Sequence, residues 1–284
     1  MLTRRRALGL AGAGLAVPAR AETSTQQRLA ALETSAGVWI GLAALDTSSG
    51  RRIAWRANDR FPMCSTFKLL LASAVLHRVD TDCEDLARRV PIREADLQPT
   101  SPRTKPFVGK DLPVAKLCEA AMIYSDNTAA NLLLKAVGGP EGVTGFARRL
   151  GDKVTRLDHF ELALNKVAPG EAHDTTTPAA MLGNLQKLAL GPALSPASRQ
   201  RLTGWMLANT TGDDRLRAGV PKSWKVGDKT GAWLPGGGVN DLAILWPPGR
   251  PPILAAAYTW GAPDKDMAQR NAVLAEIGRI VATA

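Results

Sequence analysis

The sequence predicts an α+β fold, in which one antiparallel sheet is built from both chain ends and flanked by terminal helices. An all-helical region is inserted between the two halves of the sheet. Near the N-terminus a helical pattern is followed by two strand-like runs, whereas the long middle carries mostly helical patterns. Strand signals return only after about residue 224, and an amphipathic helix closes the chain. Runs of strands separated by runs of helices are typical of this class.

The first elements are predicted to be a helix and a β-hairpin. Residues 25–35 carry a helical pattern of apolar side chains, and residues 37–45 form a nearly continuous apolar run. Residues 52–56 (Arg-Ile-Ala-Trp-Arg) alternate large apolar side chains with small or polar ones, as in a strand with one buried face. The turn-forming sequence Asp-Thr-Ser-Ser-Gly lies between the two runs at 46–50. This order favours a hairpin directly after the first helix.

The inserted region begins with a helix that we expect to be buried. Residues 69–76 are almost wholly apolar on every face, a pattern typical of a helix inside a core. Pro62 suits a first helical turn, because the amide it lacks would go unused there. We therefore expect Ser65 near the helix N-terminus. Further helical patterns cover residues 114–124, 128–137, 141–150, 178–190 and 196–207. The last two begin with proline directly after a Thr or Ser that can cap the helix.

The C-terminal part returns to strands. Apolar runs at 224–234, 239–246 and 253–260 predict three strands, with a Pro-Gly-Gly-Gly loop at 235–238 between the first two. Residues 264–284 form the closing amphipathic helix. We expect the active site between this sheet and the helical region.

The N-terminus has the three-part layout of a secretory signal. Residues 1–21 contain no acidic side chain, and an Arg-Arg-Arg cluster at 4–6 precedes a small, apolar stretch at 7–17. Ala-Arg-Ala at 19–21 fits a small-x-small cleavage site. The apolar stretch is too short to span a membrane, and adjacent arginines suggest the twin-arginine route. The alternative is a cytosolic helix that starts with arginines.

These features predict an exported protein, periplasmic or secreted, with a cleaved leader at 1–21. The catalytic domain would be 22–284, with an α/β part at about 22–60 and 210–284 and a helical part at about 61–209. The basic residues number 36 against 26 acidic ones, but they form no Lys/Arg-rich block in the mature chain. We therefore expect no nucleic-acid partner. We also expect a monomer without stable membrane association after cleavage.

Cysteine and histidine usage argues against a metal site. Cys64, Cys83 and Cys118 have no CxxC spacing, and their odd number leaves at least one thiol free. Cys64 and Cys118 are most simply small buried residues. The three histidines match no zinc spacing, and the sequence has no G-x-S-x-G elbow. A metal cofactor and an ordinary Ser-His-Asp hydrolase are both disfavoured.

A Ser-x-x-Lys motif at Ser65 and Lys68 is the first candidate for chemistry. Three residues apart on a helix, the two side chains share one face, about 5–6 Å apart at Cβ. Burial lowers the pKa of an amine and lets it accept a hydroxyl proton, which activates the serine. On its own the motif is also typical of a buried helix whose lysine reaches out to solvent.

Two further motifs follow in the chain. Ser-Asp-Asn at 125–127 lies between two predicted helices and could simply be a helix cap. Lys-Thr-Gly at 229–231 lies on a predicted strand, where Asp228 excludes a phosphate-binding loop. Together with Ser-x-x-Lys, in this order, they resemble the signature of the penicillin-recognising serine enzymes.

A fourth element narrows the resemblance to class A β-lactamases. Residues 156–165, followed by Asp-Thr-Thr-Thr-Pro at 174–178, are similar to the omega loop of that class. The similarity runs from about residue 26 to the C-terminal helix. It implies hydrolysis of the β-lactam amide bond of penicillins and cephalosporins, hence antibiotic resistance, without any cofactor. The alternatives are a penicillin-binding D,D-peptidase, which traps the acyl-enzyme, and a non-catalytic β-lactam sensor.

The resemblance also implies catalytic roles. Ser65 would attack the lactam carbonyl, and its N–H with that of Ala232 would form the oxyanion hole. Lys68 and Glu161 are the candidate bases for acylation. Ser125 would relay a proton to the leaving nitrogen.

The remaining roles concern deacylation and substrate binding. Glu161 with Asn165 would position and deprotonate the water that releases the product. Asn127 would bind the side-chain amide of the substrate. The substrate carboxylate would be held on the strand of the third motif by residues that supply fixed cations and donors: Lys229, Thr230 and Gly231, with Arg215.

Several positions depart from the family pattern, among them Ala232, which lacks a hydroxyl that some members have there, and the segment 232–239, which is one residue longer than in many relatives. His159 stands where an arginine usually pairs with the aspartate that corresponds to Asp174. Ala72 replaces a cysteine that some members pair with the one at Cys118, so that disulfide should be absent. Thr100 stands where an aromatic often forms the rim of the site. These differences concern the substrate range rather than the reaction.

Overall fold

The computed structural model describes residues 19–168, 170–262 and 264–284. The leader predicted at 1–21 therefore lies almost wholly outside the described residues. Among the helices described, none is long and apolar enough to cross a membrane.

The strands and helices follow one another as the sequence patterns predict, with several short additions. The strands are β1 Trp39–Asp46, β2 Arg52–Trp55, β3 Phe61–Pro62, β4 Arg89–Pro91, β5 Asp111–Pro113, β6 Thr175–Thr176, β7 Lys225–Trp233, β8 Gly238–Trp246 and β9 Ile253–Trp260. The helices are α1 Ala19–Ala36, α2 Phe67–Asp80, α3 Val114–Ile123, α4 Asn127–Ala136, α5 Gly139–Arg149, α6 Pro178–Ala189, α7 Pro196–Leu207, α8 Leu216–Gly219 and α9 Met267–Thr283.

The main sheet joins both ends of the chain, as predicted. Its strand order is β2-β1-β9-β8-β7, and each neighbouring pair is antiparallel. The hairpin β1–β2 therefore meets the C-terminal strands through the pairing of β1 with β9. This arrangement confirms the α+β class, and it places the Lys-Thr-Gly strand β7 at one edge of the sheet.

The sheet is covered on both faces, which explains why β1 is apolar throughout rather than alternating. Leu42 and Ala44 belong to a core shared with α1 and α9. Ala43 and Leu45 point to the opposite core, which contains the helices of the inserted region. A strand with two buried faces needs apolar side chains at successive positions.

The inserted region is helical except for two small ribbons, β3–β6 and β4–β5. The ribbon β3–β6 corrects the expected position of Pro62, which lies in β3 opposite Thr175 rather than in a first helical turn. Proline fits a strand only where its missing N–H is not needed for pairing. Phe61 beside it packs against Tyr258, with ring centroids 5.9 Å apart, so that tertiary contacts fix this segment as extended.

Helix caps set the entry to α6 and α7 as predicted. The Thr177 side chain accepts a hydrogen bond from the N–H of Ala180, and Ser195 does the same for Ser198. In both helices the proline at the first position lacks an N–H that the helix would not use.

All three cysteines are free thiols. Cys64 and Cys118 are buried, as expected, whereas Cys83 is exposed. Burial raises the pKa of the Cys64 thiol to about 12, so this neighbour of Ser65 stays protonated at neutral pH.

Candidate active site

Ser65 lies in a single turn of 3₁₀-helix, Cys64–Thr66, that leads into α2. Cys64 has φ of +45°, a left-handed conformation that is strained for a non-glycine residue and that clusters at functional sites. The Asn240 side chain holds the preceding segment, because its Nδ2 donates to the carbonyls of Pro62 (2.8 Å) and Met63 (3.2 Å). A side chain of strand β8 therefore fixes the segment that leads into the turn carrying Ser65.

Gly231 explains why the third motif ends in glycine. A Cβ at this position would lie 2.8 Å from the Met63 carbonyl oxygen and 3.0 Å from the Ser65 backbone nitrogen. Any larger residue would push β7 away from the serine turn. The backbone of β7 can thus pass directly beside Ser65, with the partly buried Ala232 next in the strand.

Lys68 is fully buried, so the alternative of a lysine that reaches solvent is wrong. Its Nζ lies 2.9 Å from Ser65 Oγ and 3.0 Å from Glu161 Oε1. It also lies 2.8 Å from the Ser125 carbonyl oxygen and 2.6 Å from Asn127 Oδ1. An ammonium has three N–H bonds for these four acceptors. The amine can therefore exchange partners as protons move.

The Ser125 hydroxyl lies between two amines. Its Oγ is 3.1 Å from Lys229 Nζ and 3.5 Å from Lys68 Nζ. The backbone of Ser125 is left-handed, with φ of +56°. Burial, followed by the positive charge of Lys68, lowers the pKa of Lys229 well below its usual value. The hydroxyl thus connects the nucleophile side of the site to β7.

Asp126, between the two motif residues that touch Lys68, holds the rim of the site. As the N-cap of α4 it accepts from the N–H of Ala129, so the motif contains a helix cap in addition to the two residues that touch Lys68. Its other oxygen accepts from the backbone N–H groups of Arg103 (2.9 Å) and Thr104 (3.0 Å). One buried carboxylate thus fixes both α4 and the 100–104 segment.

Glu161 completes the reactive cluster. Its side chain is 1% exposed, and Oε1 lies 3.4 Å from Ser65 Oγ. Its other oxygen, Oε2, accepts a hydrogen bond from Asn165 Nδ2 at 3.0 Å. The carboxylate therefore contacts the nucleophile, Lys68 and Asn165 at the same time.

Asn131 holds Glu161 in place and was missed by the sequence reasoning. Its amide donates to the Glu161 carbonyl (3.0 Å) and accepts from the Glu161 N–H (2.9 Å). The available signal was a polar residue inside α4, four positions after Asn127 and hence on the same helix face.

The neck of the loop that carries Glu161 is closed by the pair expected from the resemblance. His159 Nδ1 lies 2.6 Å from Asp174 Oδ2. The other oxygen of Asp174, which is fully buried, accepts from the N–H groups of Asp158 (2.8 Å) and His159 (3.0 Å). Histidine therefore replaces arginine here without loss of the contact.

Arg215 is buried, and its guanidinium is used by the protein itself. Nη1 donates to the carbonyls of Gly231 (2.9 Å) and Asn240 (2.8 Å), and Nε donates to Asn271 Oδ1 (3.1 Å). The side chain thus joins β7 to β8 directly behind the Lys-Thr-Gly motif. Burial lowers the pKa of this guanidinium, although an arginine remains charged.

A charged layer lies beneath β7. Asp228 Oδ1 lies 3.1 Å from Arg217 Nη2 and accepts from Asn209 Nδ2 at 2.5 Å. Burial raises the pKa of Asp228. Burial and the negative charge of Asp228 together raise the pKa of Asp241 on β8 well above its usual value. These groups support the strand on which Lys229 lies.

The structure brings together the four side chains expected to be catalytic, and Asn127, Asn165 and Lys229 contact that cluster directly. Thr230 contacts Thr211, and Arg215 reaches the site only through the backbone at Gly231. Within the described ranges, no group of three or more His, Cys, Asp or Glu residues could hold a metal ion.

The serine hydroxyl contacts a buried amine and a buried carboxylate that also contact each other, between a helical region and the edge of an antiparallel sheet. This arrangement defines a serine hydrolase. The family model of the beta-lactamase enzyme family matches residues 24–284. The chain belongs to this family, and its relatives place it in class A.

Two curated relatives illustrate the similarity. Beta-lactamase L2 of Stenotrophomonas maltophilia is 46% identical over 99% of this chain and 98% of its own length. The carbapenem-hydrolyzing beta-lactamase KPC of Klebsiella oxytoca is 47% identical over 88% of this chain and 85% of its own.

Solved structures agree with this assignment. An ancestral class A beta-lactamase (GNCA) is 55% identical, with a TM-score of 0.89 over 91% of this chain and 99% of that one. A beta-lactamase from Xanthomonas campestris is 50% identical, with a TM-score of 0.90 over 93% and 98%. The protein is therefore a hydrolase of the class A serine β-lactamase type.

Proposed function

We propose that the protein hydrolyses β-lactam antibiotics through an acyl-enzyme on Ser65. Ser65 Oγ attacks the lactam carbonyl and gives its proton to Lys68 or Glu161, the two bases within reach. The N–H groups of Ser65 and Ala232 stabilise the oxyanion, a role supported by the close approach of β7 at Gly231. The lactam C–N bond then breaks, and Ser125 passes a proton to the leaving nitrogen.

The observation that carries this proposal is the Glu161–Asn165 pair beside Ser65. Asn165 Oδ1 is buried and has no hydrogen-bond partner among the residues that the structure describes. It can accept a hydrogen bond from a water that the Glu161 carboxylate deprotonates, and that water can then attack the acyl carbon. A D,D-peptidase that traps its acyl-enzyme needs no such pair, so the pair favours turnover.

Substrate binding is proposed along β7 and α4. Lys229 and Thr230 would hold the substrate carboxylate, and Gly231 and Ala232 would line its path. Asn127 Nδ2 already donates to the Pro99 carbonyl at 2.9 Å, and its second hydrogen can bind the side-chain amide of a substrate.

Steady-state turnover of a chromogenic cephalosporin by purified residues 22–284 tests the function, with Ser65→Ala as the control. We expect many turnovers per enzyme for the wild type and none for the variant. A single stoichiometric burst without further hydrolysis would instead support a penicillin-binding peptidase or a β-lactam sensor.

We further propose that the protein is exported and that its leader ends at Ala21, within α1. The support is the arginine cluster ahead of a weakly apolar stretch. Replacing Arg4, Arg5 and Arg6 by lysine is expected to keep the protein in the cytoplasm, which fractionation and immunoblotting would show. Unchanged export of this variant would indicate a different route.

Arg215→Ala is expected to lower both stability and activity. The substitution leaves the carbonyls of Gly231 and Asn240 without a buried donor, which should reduce the free energy of unfolding by about 2–4 kcal/mol. If Arg215 also attracts the substrate carboxylate, kcat/KM should fall by a further factor of about 30–1,000. Thermal unfolding and penicillin kinetics separate the two effects.

Arg250→Ala is the control, because Arg250 is exposed and forms its ion pair with Asp46 on β1 rather than with a residue of β7. A lower unfolding temperature of Arg215→Ala with unchanged kcat/KM for penicillins would mean that Arg215 only clamps the strands.

A further inference from the structure

Arg270 is a buried guanidinium that the chemistry proposed above does not use. The residue is 1% exposed and lies in the first turns of α9. The start of this helix is fixed by a capping box, in which the side chains of Asp266 and Gln269 each accept from the other's backbone N–H. Burying a charged group costs free energy unless its donors are hydrogen-bonded. The acceptors of Arg270 therefore indicate what the side chain holds in place.

The four acceptors of Arg270 are backbone carbonyls. Nε donates to Lys265 (3.0 Å), and Nη1 donates both to Gly261 (2.9 Å) and to Gly237. Nη2 donates to Ala262. Three of these carbonyls belong to the connection between β9 and α9, whereas Gly237 ends the connection between β7 and β8. One guanidinium, whose N–H groups form a planar fork, thus joins two connections of the chain.

The two connections also touch through their backbones. Gly237 has φ of +73°, and a Cβ at this position would lie 2.4 Å from the Gly261 carbonyl oxygen. Glycine allows both the left-handed conformation and this close approach. The end of the β7–β8 hairpin therefore packs directly against the β9–α9 connection, and Arg270 holds the two together.

The end of the hairpin that Arg270 holds lies close to the nucleophile turn. Gly238 belongs to the last residue pair of β7 and β8, and Ala232 with Val239 forms the pair before it. A Cβ added at Gly238 would lie 3.4 Å from the Sγ of Cys64, which directly precedes the nucleophile. The N–H of Ala232, proposed above for the oxyanion hole, is therefore only one residue pair away from the held end.

A second buried arginine holds the other side of this residue pair. Arg215 Nη1 donates to the carbonyls of Gly231 and Asn240, which form the adjoining pair of β7 and β8. Its Nε donates to Asn271, the residue after Arg270 in α9. The pair that carries the proposed oxyanion donor thus lies between two arginines, one on each side.

We propose that Arg270 is a positioning residue for the oxyanion hole, because it keeps the N–H of Ala232 aligned with that of Ser65. The inference rests on the hydrolysis proposed above. Loss of one oxyanion-hole donor lowers kcat about 10²–10³-fold. Such hydrogen bonds are strongest once the tetrahedral oxyanion has formed, so binding of the intact substrate depends on them far less. A loosened hairpin end should therefore weaken transition-state binding selectively.

A boronic acid measures this effect directly. Ser65 Oγ adds to the boron of phenylboronic acid and forms an O–B bond as its proton passes to Lys68 or Glu161, which gives a tetrahedral anion that resembles the transition state. The inhibition constant Ki, obtained by competition with a chromogenic cephalosporin, does not depend on the fraction of folded protein. Arg270→Ala should raise Ki about tenfold or more and lower the acylation rate constant by a similar factor. The dissociation constant of the non-covalent substrate complex should change less than about twofold.

Two further variants test the same contact. Arg270→Lys keeps the charge but has a single nitrogen in place of the planar fork, so it should restore Ki only in part. Gly237→Ala keeps Arg270 but pushes the two connections apart, because its methyl group would clash with Gly261, and it should also raise Ki. This second route decides the question if Arg270→Ala does not fold.

Each of the two perturbations has a matched control. Arg279→Ala removes an exposed arginine from the same helix, where it pairs with Glu276. Gly249→Ala adds a methyl group at a similar φ of +71° beyond the opposite end of β8, where it would meet no heavy atom within 4 Å. Both controls should bind phenylboronic acid with the Ki of the wild type.

A higher Ki for Arg270→Ala and Gly237→Ala, together with an unchanged Ki for both controls, would establish the positioning role. A wild-type Ki in either folded variant would overturn it. An equal rise of Ki and of the dissociation constant of the substrate complex would also overturn it, because the whole site would then be distorted. Absence of both turnover and boronate binding in the wild-type enzyme would instead overturn the proposed function, and this inference with it.

Discussion

Glu161→Ala is expected to convert the enzyme into a covalent trap for penicillins. The substitution removes the carboxylate that contacts Asn165 and Ser65, so the water that should release the product loses its base. General-base catalysis contributes about 10²–10⁴-fold, and kcat should fall by that factor. Ser65 should still form the adduct if Lys68 can accept its proton, and mass spectrometry of the intact protein would detect that adduct.

Two further variants distinguish chemistry from packing. Glu161→Gln keeps the size of the side chain and a carbonyl oxygen for Asn165, yet it cannot act as a base, so it should also accumulate the adduct. Glu171→Ala removes an exposed carboxylate from the same loop and should turn over normally. Full steady-state turnover by both Glu161 variants would remove Glu161 from the mechanism.

The sequence was most informative where local pattern and tertiary environment agree. The apolar run at 69–76 predicted a buried α2, and every residue of the run is buried. The continuous apolar run before residue 46 similarly predicted β1, because two covered faces leave no polar position. The three motifs in this order carried the resemblance to the penicillin-recognising serine enzymes, and that resemblance implied that their residues surround a single site.

Contacts between distant segments could not be predicted in this way. The general preference of proline for a first helical turn gave the wrong prediction for Pro62. Its pairing with Thr175, more than a hundred residues later, makes this segment extended. The buried hydrogen bonds of Arg215 depend on the register of β7 against β8. Helix α8 has four residues, too few for any periodicity to be visible.

The second large effect concerns Lys68, and it should appear in acylation. Lys68→Met fills most of the same volume but removes the amine that lies 2.9 Å from Ser65 Oγ. We expect the acylation rate constant, measured by stopped-flow with a chromogenic cephalosporin, to fall by about 10²–10⁴-fold. Circular dichroism and thermal unfolding would verify the fold, since Asn127 Oδ1 loses its buried donor.

Lys68→Arg identifies what the amine contributes. A guanidinium keeps the positive charge beside Glu161 but cannot act as a base, because it does not lose its proton in proteins. If Lys68 is the base for acylation, Lys68→Arg should acylate as slowly as Lys68→Met, whereas Glu161→Ala should acylate far faster than either. If Glu161 is the base and Lys68 only supplies charge, Lys68→Arg should recover much of the rate and Glu161→Ala should form its adduct slowly. Acylation at the wild-type rate in both Lys68 variants would exclude Lys68 from this step, because neither side chain can accept the proton of Ser65.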